Sequence, residues 1–333
     1  MESSRARRSR RSRPSGTRPL LYTALAVIAV VGGTAAGTVY VKAQAHSGAS
    51  PVSSSASAST SATADGEESV EPVAEPTVDY DALLAEAMES VSVAGKAEVS
   101  VAVLDLDSGD SASYGDGAFD TASIVKVDIL ATLLLQAQDD GRRLTATEKS
   151  YATTMIENSD NTAASALWRT IGKAEGLEAA NKRFGLTDTE GGDDMLWGLT
   201  QTTAADQLTL LQQVFGDDSE LSEASRTYLQ GLMKQIEADQ HWGVSAAADG
   251  SKWALKNGWL DRSTTGLWDI NSIGRVTADG RDCLVAVLSK GNSTQAKGIS
   301  LVEKAAKAAV SVFAGDASSP SASATPSPSS SAS

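Results

Sequence analysis

The spacing of hydrophobic positions predicts the elements of a folded domain. Apolar residues recur at helical intervals over residues 80–91 and alternate with polar residues over 98–106, which is typical of a strand. A Ser-Gly-Asp turn at residues 108–110 indicates that residues 111–114 return as a second strand.

The middle of the domain is predicted to be helical. Residues 124–135 are apolar on nearly all sides, as expected of a helix that is buried over most of its surface. A capping-box pattern at residues 145–148 opens the next helix. Further helices are predicted at residues 162–171, 177–184, 207–215 and 224–236.

The pattern returns to strands towards the end of the domain. Strands are predicted at residues 253–260, 268–277 and 283–289, followed by an amphipathic helix at 299–313. The order is a helix, two strands, several helices, three strands and a helix. This order predicts an α+β domain, an α/β sandwich whose antiparallel sheet is built from both chain ends around an inserted helical lobe.

The N-terminal part of the chain has a different character. Residues 1–19 are basic, and residues 20–41 run for 22 positions without a charge, which is long enough to span a membrane. This pattern predicts a single-pass anchor with a cytoplasmic N-terminus and the domain outside the cell. An alternative is a signal segment cleaved near Ala45, which would release a secreted protein.

Two further segments are predicted to be disordered. Residues 42–79 are a Ser/Ala-rich acidic linker, and residues 315–333 are an Ala/Ser/Pro tail, so both have little apolar surface to bury. One folded domain, at residues 80–314, remains.

Composition and charge exclude several classes of function. The net charge of the whole chain is −14, but residues 46–333 carry −21, because residues 1–45 are basic. An acidic domain argues against nucleic-acid binding. One cysteine and two histidines rule out an internal disulfide and offer no plausible metal site, so no metal or organic cofactor is expected.

The predicted buried helix contains a lysine that needs an explanation. Lys126 lies three residues after Ser123, so both share one helix face. A lysine in an apolar setting can lose its charge and take a proton from a serine hydroxyl. Ser123 and Lys126 are therefore a candidate nucleophile and base. The alternative is a capping serine and a lysine whose amine reaches solvent.

Two further motifs follow in the chain. Ser159-Asp160-Asn161 lies in a polar break between helices, where it could relay a proton or simply cap a helix. Lys256-Asn257-Gly258 begins the late sheet, and strand alternation places Lys256 and Gly258 on one face. A glycine there would let a ligand approach the strand closely, and the lysine would attract a carboxylate. The alternative is an ordinary edge-strand lysine.

With these three motifs in this order, residues 80–314 resemble the class A β-lactamase and penicillin-binding protein superfamily, which is defined by S-x-x-K, S-D-N and K-T-G. The resemblance implies that Ser123 is acylated, with Lys126 as the base. It implies that Ser159 passes the proton to the leaving nitrogen and that Asn161 holds both substrate and Lys126. Lys256 would bind a substrate carboxylate.

The third motif and its neighbours carry further implied roles. Asn257, Gly258 and Trp259 would bind substrate, and the backbone N–H groups of Ser123 and Trp259 would form the oxyanion hole. Asn257 stands where the family has Thr or Ser, so its amide is expected to replace a hydroxyl in donating to substrate.

A second departure concerns deacylation. The class A E-x-x-L-N segment, whose Glu activates the deacylating water, does not occur in this chain. Glu190, Asp193 and Asp194 are the possible substitutes, although an exposed acidic turn is the simpler interpretation.

The resemblance leaves three functions open. The first is an exported serine hydrolase of the β-lactamase type that acts on β-lactams or D-Ala-D-Ala-like amides. The second is a cell-wall DD-peptidase that β-lactams inhibit, and the third is a non-catalytic wall-binding or sensor module. The expected partners are a β-lactam or peptidoglycan-stem-like substrate and the membrane, the latter through the N-terminal helix. The chain is expected to be a monomer.

Overall fold

A five-stranded antiparallel sheet forms the centre of the computed structural model, which describes residues 78–314. The strands, in chain order, are β1 Glu98–Asp105, β2 Ser111–Tyr114, β3 Phe119–Asp120, β4 Gln201–Thr202, β5 Trp253–Arg262, β6 Leu267–Ala278 and β7 Arg281–Asn292. The sheet order is β2-β1-β7-β6-β5, while β3 and β4 pair separately.

The sheet joins the two ends of the domain. Strand β1 pairs with β7 along its whole length, from Glu98 opposite Lys290 to Asp105 opposite Cys283. The predicted α+β architecture, with one antiparallel sheet built from both ends, is therefore confirmed.

Helices cover both faces of the sheet. The helices are α1 Tyr80–Glu89, α2 Val125–Asp139, α3 Ala146–Glu157, α4 Asn161–Thr170, α5 Lys173–Phe184, α6 Ala204–Phe215, α7 Glu223–Met233 and α8 Gln295–Ser311. Alternation along β1 separates two cores: Val101 and Val103 pack with α1 and α8, whereas Ala102 and Leu104 pack with the helical lobe formed by α2 to α7.

Helix α2 runs through the interior of the lobe. Only Gln136, Gln138 and Asp139 among its residues are not buried, which confirms the prediction of a helix enclosed on most sides. The helix follows directly from a 3-10 turn at Ala122–Ile124, so it starts at the same place as the first motif.

Several helices begin earlier than the hydrophobic pattern predicted. Helix α6 starts at Ala204 and α8 at Gln295, because Thr203 and Thr294 cap them through side-chain oxygens. Helix α5 starts at Lys173 and includes Gly176, where a Cβ would lie 1.7 Å from the carbonyl oxygen of Ile171. Glycine is therefore required at this position by close backbone packing.

The N-terminal and C-terminal predictions fall outside this part of the chain. The basic segment, the anchor at residues 20–41, the tail at 315–333 and all but the last two residues of the linker at 42–79 lie beyond the described residues. Within residues 78–314, none of the helices combines the length and the hydrophobicity needed to cross a membrane.

Candidate active site

Ser123 lies in a tight turn that connects β3 to α2. Ala122 has a φ of 48°, which is unusual for a residue other than glycine and indicates local strain. Asn271 on β6 holds the turn from below, because its Nδ2 donates to the carbonyl oxygens of Asp120 at 2.9 Å and Thr121 at 3.0 Å. The sheet therefore fixes the start of α2 and the serine on it.

Lys126 is fully buried, with 0% of its surface exposed. Its Nζ lies 2.6 Å from the carbonyl oxygen of Ser159, 3.0 Å from Ser159 Oγ and 2.8 Å from Asn161 Oδ1. The first and second motifs, which are separate in the sequence, are thus directly bonded. The alternative of an amine reaching solvent does not describe this lysine.

The surroundings of Lys126 favour its uncharged form. Burial lowers the pKa of Lys126 to about 7, and the nearby Asp160 carboxylate opposes this change. The carbonyl oxygen of Ser159 and Asn161 Oδ1 accept two of its N–H groups. The third partner, Ser159 Oγ, can instead donate its proton to the lone pair of a neutral amine. The bonding arrangement therefore suits both protonation states.

Ser159 lies between two lysines. Its Oγ is 3.0 Å from Lys126 Nζ and 3.1 Å from Lys256 Nζ. The backbone of Ser159 is left-handed, with a φ of 57°, and Asp160 then caps α4 by accepting from the backbone N–H of Ala163 at 2.6 Å. Asp160 of the motif is thus a helix cap, while the hydroxyl of Ser159 contacts the two lysines.

Lys256 is the second fully buried lysine. Its Nζ donates to the carbonyl oxygen of Asn257 at 3.0 Å and approaches Gln240 Oε1 at 3.5 Å. Burial lowers the pKa of Lys256 well below its usual value, and the charge of Lys126 lowers it further. The two amines contact the same hydroxyl and are therefore close together. The positive charge of Lys126 thus disfavours protonation of Lys256.

Gly258 brings strand β5 against the serine turn. A Cβ at this position would lie 2.7 Å from the carbonyl oxygen of Thr121 and 2.8 Å from the backbone N of Ser123. Only glycine permits this approach. Trp259 follows and is half-buried, with its ring 6.0 Å from that of Trp242 between centroids.

Asn257 faces away from this cluster. Its side chain is fully buried, and its Nδ2 donates to the carbonyl oxygens of Gln240 at 2.8 Å and Trp242 at 3.1 Å. Both amide protons are therefore already used. This placement argues against the predicted substrate contact, because the side chains of Asn257 and Lys256 project from opposite faces of the strand.

The three acidic residues considered for deacylation are all exposed. Asp194 forms an ion pair with Lys173 at 2.5 Å and keeps 76% of its side chain exposed. Glu190 pairs through its backbone with Gln201. Within residues 78–314, none of the contacts described for Glu190, Asp193 or Asp194 joins them to Ser123 or Lys126.

Two residues at the site were not anticipated from the sequence. The Trp197 ring lies over Lys126, with 5.0 Å from Nζ to the ring centroid, and Gln240 approaches Lys256. Trp197 lies in a short loop without any motif, so its sequence position alone does not relate it to Lys126. Among residues 78–314, no group of three or more His, Cys, Asp or Glu side chains is placed to hold a metal ion.

Comparison with known proteins decides the family. The sequence profile of the Beta-lactamase enzyme family matches residues 141–313, slightly over half of the chain. The chain belongs to this family. The matched residues include the second and third motifs, and Ser123 and Lys126 precede them.

Solved structures of a class A β-lactamase and of PBP-A have the same fold. The class A β-lactamase of Bacteroides cellulosilyticus DSM 14838 superposes with a TM-score of 0.62 at 17% identity, covering 72% of this chain and 100% of that one. PBP-A gives a TM-score of 0.60 at 20% identity, over 70% of this chain and 96% of that one. At these identities, the likeness establishes the fold.

A curated relative is more similar in sequence. The Mycobacterium tuberculosis protein named "Putative lipoprotein LppW" is 27% identical over 206 residues, which cover 57% of this chain and 63% of the relative. The chain thus spans less than two thirds of that relative's length. The relative's name describes it as a lipoprotein.

Proposed function

We propose that this protein is an exported serine hydrolase in which Ser123 is acylated by β-lactams or by D-Ala-D-Ala-like amides. The observation that carries the proposal is the bridge from Lys126 through Ser159 Oγ to Lys256, at the start of the helix that follows the serine turn. The site proposed is catalytic Ser123, Lys126 and Ser159, with substrate held by Asn161, Lys256, Gly258 and Trp259.

The acylation step follows from this bridge. The uncharged Lys126 takes the proton of Ser123 Oγ, and the oxygen forms a bond to the carbonyl carbon of the substrate. Collapse of the tetrahedral intermediate breaks the carbon–nitrogen bond, and Lys126 returns the proton through Ser159 to the leaving nitrogen. The result is an acyl-serine and a neutral amine that carries the former serine proton, with Lys126 uncharged again, so protons and charge balance.

Two features of the site would favour this step. Backbone N–H groups of Ser123 and Trp259 would stabilise the developing oxyanion, which contributes about 2.7–4 kcal/mol per donor in other enzymes. The close packing of Gly258 against Ser123 supports this arrangement, since it brings the two backbones together. A charged Lys256 would attract the carboxylate that β-lactams and peptide stems share.

The related structures support acylation by a β-lactam. One of them is a mutant of PBP-A as an acyl-enzyme complex with penicillin-G, which superposes with a TM-score of 0.59 at 21% identity. The envelope location proposed for the domain, held outside the membrane by residues 20–41, agrees with the name of the mycobacterial relative. We expect a monomer that takes a small-molecule substrate.

A second candidate function is a cell-wall DD-peptidase that β-lactams inhibit. The exposure of Glu190, Asp193 and Asp194 favours it, because a carboxylate that does not reach Ser123 cannot activate water there. Both candidates share the acylation step and differ in how fast the acyl-serine is hydrolysed.

Mass spectrometry of the intact protein after mixing with benzylpenicillin, followed over time, distinguishes the candidates. A lasting adduct supports the inhibited peptidase, whereas hydrolysed penicillin without a lasting adduct supports a β-lactamase. If neither appears, the proposal of β-lactam acylation is wrong. A binding or sensor module would then be favoured, and Ser123→Ala should leave its biological phenotype intact.

A further inference from the structure

Residues 190–201 form a loop that passes over the buried lysine. The loop is closed at its base, because the backbones of Glu190 and Gln201 exchange two hydrogen bonds of 2.9 Å. Gly192 donates to Thr200 Oγ1 at 3.1 Å inside it. The loop is therefore ordered by its own hydrogen bonds.

Helix α4 anchors this loop. Trp168 Nε1 donates to the carbonyl oxygen of Asp194 at 2.6 Å, and Trp197 Nε1 donates to Ser165 Oγ at 3.1 Å. On the other side, Gly198 lies beside the serine turn, where a Cβ would be in ordinary contact with the Cα of Ala122 at 3.9 Å. The indole of Trp197 is thus bonded to α4, while the next residue of the loop lies beside the turn that carries Ser123.

The same face of α4 contacts both Lys126 and Trp197. Asn161 and Ser165 are four residues apart and lie one above the other on the helix. Asn161 Oδ1 accepts from Lys126, while Ser165 accepts from Trp197. The ring centroid lies 5.0 Å from Lys126 Nζ, within the range of cation–π contacts. The side of the amine that faces the loop is therefore covered by an aromatic ring.

An indole in this position has two opposing effects on Lys126. Its π face attracts an ammonium and so favours the charged form, whereas its bulk excludes water and so favours the neutral form. Burial is the largest influence on the pKa of Lys126, ahead of the Asp160 carboxylate. The other titratable group close to Lys126 is Lys256 on β5, whose own pKa is lowered by burial and by the charge of Lys126. Exclusion of water should therefore dominate.

We propose that Trp197 is a positioning residue that keeps Lys126 available as an uncharged base by excluding water from its amine. This inference rests on the proposed acylation of Ser123 for its catalytic meaning, although its effect on Lys126 is independent of any substrate.

The test compares Trp197→Ala with Trp197→Phe and with Leu196→Ala. Leu196 belongs to the same loop but is 55% exposed, so its truncation controls for a general disturbance of the loop. The rate constant for acylation by benzylpenicillin is measured for each variant from pH 5 to 10. We expect the midpoint of the acid limb to rise by about one pH unit in Trp197→Ala. It should stay near the wild-type value in Trp197→Phe and Leu196→Ala.

Two results would overturn the inference. One is a lower rate at every pH with an unchanged midpoint, which a purely structural role would produce. The other is a midpoint that falls, which would mean that the cation–π contact dominates.

A second readout does not depend on a substrate. NMR titration of protein with 13C-labelled lysines reports the protonation of Lys126, assigned with Lys126→Met. Its midpoint should rise in Trp197→Ala in the same way, and an unchanged or lower midpoint would refute the inference. If the wild type is not acylated while this midpoint rises, the proposed function fails and the role of Trp197 stands.

Discussion

Two buried ionisable residues lie two positions apart on α2 and have opposite surroundings. Lys126 has three hydrogen-bond partners, all from the second motif. Asp128 is equally buried, but neither of its carboxyl oxygens has a hydrogen-bond partner within residues 78–314. Thr132 and Asn181 lie beside it and oppose the rise of its pKa, although their polar side-chain atoms make no hydrogen bond of normal geometry within residues 78–314.

This difference distinguishes a buried residue that belongs to the site from one that is only buried. Burial lowers the pKa of Lys126 to about 7 and raises the pKa of Asp128 to about 7, so both tend towards the neutral form. At Lys126, directed bonds offset the cost of burial and aim the amine at Ser159. At Asp128, the neighbouring Thr132 and Asn181 offset burial only in part, so ionisation of the carboxyl costs stability. Bonding therefore marks the site better than a shifted pKa does.

The comparison is tested most strongly by removing the amine of Lys126. Lys126→Met keeps the buried stem and eliminates the base, so acylation of Ser123 by benzylpenicillin should slow by about 10²- to 10⁴-fold. Asp128→Asn should leave the rate within about twofold. Stopped-flow or mass-spectrometric acylation rates measure both. Equal losses in the two variants would contradict the distinction.

The pH dependence of acylation tests the protonation of Lys126. Well below a pKa of about 7, the neutral fraction falls tenfold per pH unit, so the rate at pH 5 should be about a hundredth of the plateau that it reaches above pH 8. Asp128→Asn should keep the same midpoint. A rate constant that is independent of pH over this range would argue against Lys126 as the base.

Gly258→Ala tests the packing of the strand against the serine turn. A Cβ would collide with backbone atoms of Thr121 and Ser123, so the turn must move and acylation should slow by about hundredfold. Gly231→Ala on α7 is the matched control, because its Cβ would meet no atom within 4 Å. That control should retain the wild-type rate and gain up to about 1 kcal/mol of stability. A wild-type rate in Gly258→Ala would refute this packing role.

Asp128→Asn should change stability in a pH-dependent way. The pKa of Asp128 is higher in the folded state, so the wild-type protein loses stability as pH rises from about 4 to about 7, and then no further. Asparagine cannot ionise, so the variant's unfolding free energy relative to wild type should grow by up to about 4 kcal/mol between pH 4 and pH 8. Urea unfolding at both pH values measures this change. A difference that does not vary with pH would mean that Asp128 is not ionising inside the fold.

Hydrophobic periodicity was sufficient to predict the architecture of this domain. The strands and helices that it marks are long and amphipathic or deeply buried, and their order admits few antiparallel arrangements. The pairing of β3 with β4 was not predicted, because two-residue strands carry no periodicity. The early start of α5 was missed because Gly176 suggests a break unless its close packing is known.

The site was predictable only where local spacing decides it. Ser123 and Lys126 are related by one helical turn, and Lys256 and Gly258 by strand alternation. The same alternation places the side chain of Asn257 on the opposite face of β5 from Lys256. The predicted substrate contact of Asn257 came from the resemblance to the family and not from this alternation. Trp197 could not be predicted, because it reaches Lys126 through the fold of a loop distant in sequence.

The central claim is that Ser123 is the residue acylated by a β-lactam, and peptide mapping after reaction with benzylpenicillin tests it most directly. The account predicts that the penicilloyl mass is found on the peptide that contains Ser123 and is absent from Ser123→Ala treated in the same way. An adduct on a different residue, or an adduct that persists in Ser123→Ala, would contradict it.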